Sequence, residues 1–139
     1  MAMIFPLFLA LVTPAAEVDP EGRMRLEGRC TYNQEVLKHR DDTVLAQCDA
    51  VAIDIEDDTA SIAFDLRSWD VTMLRFRGKM TGPDLMTVRQ LTLRNGTRDE
   101  ATGSCRIFRV EGRVSAVSCL ATMRGRAYAA NIDVSYNRN

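Results

Sequence analysis

Four cysteines and a single histidine decide most of the chemistry open to this sequence. Cys30 and Cys48 lie symmetrically about His39, and Cys105 and Cys119 about Gly112. Directly opposed residues of a regular hairpin have a constant sum of residue numbers. Their Cα atoms stand about 4.5–5.5 Å apart, within disulfide reach. Four cysteines permit three pairings, and the symmetry selects Cys30–Cys48 and Cys105–Cys119, each a staple across a local hairpin. In this register Val110 faces Val114 across an EGR three-residue loop. The staples close loops of 15 and 19 residues, and each contributes about 3 kcal/mol in the chain-entropy model.

With the cysteines paired, His39 has no partners for a nucleophilic triad or a zinc site, and it reads as an exposed loop residue between Lys38 and Arg40. The run Asp54, Glu56, Asp57, Asp58 offers oxygen ligands, but it lacks the spacing and glycine of a calcium loop. It reads as a solvated strand end entering a turn. With 19 acidic residues in the chain, a carboxylate pair for glycoside hydrolysis is easy to propose and impossible to place. Asn95-Gly96-Thr97 fits a glycosylation acceptor, and more strongly a turn. No cofactor or metal is expected.

The cations are more informative. Net charge is −1, yet residues 17–70 carry 14 acidic and 6 basic side chains, and residues 71–139 carry 5 and 12. Arg75, Arg77 and Lys79 are the best localised part of the basic half. On one strand they share a face at ~7 Å intervals, a spacing suited to an anionic partner. The opposing expectation is that these cations pair across strands with the acidic half, which the near-zero total charge favours. Nucleic acid is not expected as a partner, because the total charge is not basic and aromatics are not interleaved with the cations.

These side chains must be carried by strands. After Arg23 the apolar pattern has period 2, giving strands at 24–32, 43–56, 60–67, 71–80, 85–94, 104–110, 114–123 and 126–135, each bounded by turn residues. No stretch offers a helical stripe of useful length. The fold class is all-β: a single antiparallel meander of about eight strands, closed as a barrel, with a two-sheet sandwich as the alternative. Closure removes the open edges that invite aggregation. A tight turn near Gly82 pairs Met80 with Met86 and Gly78 with Val88, and one extra residue at Arg89-Gln90 then restores Phe76 opposite Leu91. This predicts a β-bulge, with Arg75, Arg77 and Lys79 on the outer face.

Residues 3–12, MIFPLFLALV, followed by Thr13, Pro14, Ala15 and Ala16, resemble a secretory leader cleaved after Ala15, although no Lys or Arg precedes the run. The expected organisation is a signal peptide at 1–15 and an all-β domain at 16–139. No transmembrane segment is expected in the mature chain. A ratio of 16 Arg to 2 Lys suits a GC-rich bacterial source. The expected function is an exported, periplasmic or extracellular, non-enzymatic binding module of the bacterial envelope, engaging an anionic component or protein. The alternative is a small-ligand carrier, with Ala116, Ala121, Ala127, Ala129 and Ala130 leaving space inside the barrel.

Overall fold

The structure is a computed structural model of the chain and describes residues 22–136; the expected leader and its cleavage site lie outside the described residues. Period-2 patterning produces β1 (Arg23–Cys30), β2 (Thr43–Leu45), β3 (Ala50–Glu56), β4 (Thr59–Leu66), β5 (Val71–Gly82), β6 (Leu85–Leu93), β7 (Arg98–Val110), β8 (Arg113–Met123) and β9 (Arg126–Val134). One turn of α-helix, α1 (Gln34–Leu37), precedes β2, and a 3-10 turn (Arg67–Trp69) precedes β5. Asn33 caps α1, its Oδ1 accepting from the Val36 amide at 2.8 Å.

Eight strands run β1-β3-β4-β5-β6-β7-β8-β9 as antiparallel neighbours, and β9 returns to β1 to close a barrel. At the seam Gly28 faces Val134 and Cys30 faces Ile132. A Cβ at Gly28 would stand 2.0 Å from the Asp133 carbonyl oxygen, so only glycine fits this approach. The ninth strand, β2, pairs in parallel with the first half of β9, from Thr43↔Ala127 to Leu45↔Ala129. The edge of β9 is thus shared, with β2 along one half and β1 along the other.

A barrel of this size has room inside for side chains alone. Ile53, Ile62, Phe64, Phe76, Met86, Val88, Leu91, Val117 and Ile132 are each no more than 2 % exposed. Phe64 and Phe76 meet edge to face at 5.8 Å, the arrangement aromatic quadrupoles prefer. Cys105–Cys119 lies within this core, directly opposed across β7 and β8. No polar or charged residue among the described ones is buried.

The β-bulge is where the sequence places it: Arg77 faces Gln90 and Gly78 faces Val88, with Arg89 as the extra residue. Other expectations need correction. The span 43–56 is two strands, because the chain leaves β2 beside β9 and re-enters the sheet as β3 beside β1. Cys30 and Cys48 are bonded, yet no hairpin joins them; the intervening chain folds into α1 and β2. The β7–β8 loop has two residues, not three. Val110 faces Arg113, Glu111 and Gly112 both take positive φ, and Ser115 is left over as a bulge. That turn matches the right-handed twist of its strands, which a longer loop need not. β7 also begins at Arg98 rather than Ser104.

Gly28→Ala is expected to lower unfolding stability in urea by about 3 kcal/mol, the upper end of overpacking costs, because the seam must open to admit the methyl group. Wild-type stability in this variant would show that the seam does not hold the barrel shut.

Candidate functional site

On β5 the side chains alternate strictly. Leu74 and Phe76 are buried, whereas Arg75, Arg77 and Lys79 project outward, Arg75 half-buried and the other two exposed. The register names their neighbours. Arg75 lies between Ala63 and Thr92, Arg77 between Ser61 and Gln90, and Lys79 between Thr59 and Thr87. No carboxylate stands directly opposite any of the three. Arg75 donates to the Ser61 hydroxyl at 3.2 Å, and Lys79 meets Asp58 at 3.4 Å. Among the described residues the Arg77 side chain has neither a hydrogen bond nor an ion pair.

The charge asymmetry survives folding. Arg25–Asp65, Arg67–Glu27, Arg67–Asp49 and Lys38–Glu35 pair within the acidic half, and Arg109–Asp84 and Arg124–Asp99 within the basic half. Among the described residues Lys79–Asp58 is the ion pair that joins the two halves. Because the barrel is a meander, neighbours in sequence are neighbours around the wall: β1, β3 and β4 carry the acidic half, and β5 to β9 the basic half. Exposed pairs contribute only ~0–1 kcal/mol each, so this polarity is not a stability device.

Sequence reasoning missed two cations of this face. The bulge turns both Arg89 and Gln90 away from the core, and Arg89 is exposed beside Gln90, the partner of Arg77. Arg98, opposite Thr92, was hidden because its polar segment gave no strand signal. Arg124 Nε binds Asp99 at 2.7 Å, and that hydrogen bond holds the Asp99 carboxyl below the usual carboxylate range.

The other candidates lie elsewhere. His39 is exposed in the loop after α1, with Asp42 at 4.0 Å. Asp54 and Glu56 are solvated and Asp57-Asp58 forms a turn. No group of three His, Cys, Asp or Glu among the described residues is arranged to hold a metal. Asn95-Gly96-Thr97 is a turn, with Asn95 Oδ1 accepting from the Thr97 amide at 2.9 Å. Trp69 is exposed at the end of the 3-10 turn.

A groove of about 470 Å³ lies outside the barrel, between the segment carrying α1 and the outer face of β8 and β9. Tyr32, Val36, Leu120, Ala127, Ala129 and Asn131 line it. Ala127 and Ala129 therefore face this groove rather than an interior space, and Ala116 pairs with Phe108 on the outer wall; Ala121 and Ala130 are buried. Tyr32 fixes the groove wall by donating to the Ala46 and Ala129 carbonyls.

In comparison with known proteins the chain matches no family model, no curated protein and no solved structure. The two disulfides accord with an oxidising compartment, and no helix among the described residues is long and apolar enough to cross a membrane.

Burial pushes the Tyr32 phenol up to about 12, outweighing backbone hydrogen bonds at Asn131 and Ala46 that pull it down. A raised folded-state value means a stability contribution that is complete below about 10, the unfolded value, and lost as pH rises towards 12. Ultraviolet titration should show a late phenolate step that disappears in Tyr32→Phe. Ionisation of all tyrosines near 10 in the folded protein would contradict the buried placement.

Proposed function

We propose that this protein is an exported, non-enzymatic binding module of the bacterial envelope that engages an anionic partner through the outer face of β5. The observation that carries this reading is the placement of Arg75 and Arg77. They stand side by side on the outer wall, flanked by hydroxyl, amide and methyl groups and by no directly opposed carboxylate. At ~7 Å spacing each raises the local potential at the other, and a multivalent anion gains from both. The disulfides support export, since such bonds persist in oxidising compartments.

A second reading, small-ligand binding, draws support from the external groove of about 470 Å³, a volume within the range of ligand sites. It uses different residues, so variants separate the two.

The mature protein should be retained on heparin or anionic vesicles at low ionic strength and released by salt. Arg75→Glu with Arg77→Glu should abolish retention while leaving the far-ultraviolet circular dichroism unchanged. If the unaltered protein is not retained on any anionic matrix at low salt, the reading is wrong.

A further inference from the structure

The basic face does not stop at β5. Arg89 points outward by alternation after buried Val88, and the bulge in β6 turns its successor, Gln90, outward beside it, where a regular strand would have set Gln90 into the core. Arg89 borders a shallow depression of about 640 Å³ on the outer wall, which Glu100, Thr102, Thr122 and Arg124 also line. Thr102 and Thr122 are directly opposed across β7 and β8, and both are exposed, so their hydroxyls sit side by side on its floor. Arg124 is anchored through Nε by Asp99, which leaves its terminal N–H groups for a ligand. The Arg89 side chain has no hydrogen bond or ion pair among the described residues. Between this depression and β5, Arg98 stands opposite Thr92, which itself faces Arg75.

We propose, on the reading that the outer face of β5 binds an anion, that the ligand is a linear acidic polysaccharide crossing the wall from Arg75 and Arg77 to Arg89 and Arg124. The track spans four strands, and three inter-strand steps cover roughly 15 Å. No compact anion reaches both ends. Along it stand Arg75, Arg77, Arg89, Arg98 and Arg124. Glu100 is the opposing charge there, and Asp99 is committed to Arg124.

The floor between the cations names the class of ligand. It presents Thr87, Gln90, Thr92, Thr102 and Thr122, which exchange hydrogen bonds with sugar hydroxyls. It offers no aromatic face on which bases would stack, and the exposed aliphatic Leu120 lies two pairs beyond Thr122, opposite Ser104. A flat bilayer touches a convex wall along about one strand, whereas a flexible chain follows the curve.

The test uses the whole mature protein and heparin-derived oligosaccharides of graded length, with binding followed by calorimetry. Affinity should rise with length until the chain spans the track and then level off. Arg89→Gln with Arg124→Gln should weaken binding of long chains about tenfold, as two exposed charge contacts allow, and leave the shortest saccharide unchanged. Because Arg124 also holds Asp99, Arg89→Gln alone serves as the second variant and should lower long-chain affinity about threefold. Equal affinity for short and long chains, with both variants silent while the Arg75/Arg77 reversal abolishes binding, overturns the track and leaves the β5 reading standing. Retention of polyglutamate or anionic vesicles with the same dependence on Arg89, without retention of the polysaccharides, overturns the ligand class. Absence of binding to every one of these probes removes the β5 reading itself.

Discussion

Closure of β1 against β9 is the constraint from which the rest of this molecule follows. Once the wall is a ring of eight strands, its interior can hold little but side chains, and each inward position must be apolar or small. Gly28 lets the two strands meet. The seam covers only part of β9, from Ile132 to Val134, and β2 occupies the remaining edge. The Cys30–Cys48 bond sits where β1 ends and the excursion carrying α1 and β2 returns to β3. It ties both ends of that excursion to the seam. A packed interior leaves the outer wall, and the groove beside it, as the surfaces free to meet a ligand.

The meander turns order along the chain into order around the barrel. A sequence whose acidic residues come first and whose basic residues come last therefore becomes a barrel with an acidic side and a basic side. Salt bridges do little to blur this, because the partners of Arg25, Lys38, Arg67, Arg109 and Arg124 all come from the cation's own half. The halves meet twice around the ring, at the β1–β9 seam and between β4 and β5, where Lys79 meets Asp58. Arg77 and Arg75, two and four pairs away on the same strand, face Ser61 and Ala63 instead. The contest between neutralised and available cations is decided locally, by which residues β4 and β6 happen to present.

Much of this was legible because strand pairing is arithmetic. The constant sum of opposed residues points to both disulfides, and the need to keep Phe76 opposite Leu91 places the bulge at Arg89-Gln90. The same arithmetic failed where the chain departs from a simple hairpin. Cys30 and Cys48 are bonded although α1 and β2 lie between them, and the β1–β3 ladder, which ends at Glu27↔Ala50, is one residue out of the register that would oppose them; the chain slips by one residue beyond it, where the Cys30 amide donates to the Cys48 carbonyl. The EGR loop misled because a two-residue turn with a bulge at Ser115 keeps the same register at the cysteines as a three-residue turn without one. The start of β7, Arg98 to Gly103, is nearly devoid of apolar residues. Only its pairing with β6 and β8 makes it a strand, and pairing leaves no local signal. Arg98 was lost with it. The positions of Ala127 and Ala129 were misjudged for a related reason: alanine is compatible with either face.

On the proposed function, ligands meet the outer wall from β5 towards β8, while the core and the groove beside α1 take no part. Nuclear magnetic resonance of the mature protein, titrated with a sulfated oligosaccharide at low ionic strength, tests it most directly through the arginine Nε–Hε signals and the backbone amides. On that proposal the guanidinium signals of Arg75, Arg77 and Arg89 shift, together with the amides of Gln90 and Thr92, in a salt-dependent manner. Shifts confined to Tyr32, Val36, Leu120 and Ala129, with the β5 arginines unmoved, would contradict it and place binding in the groove.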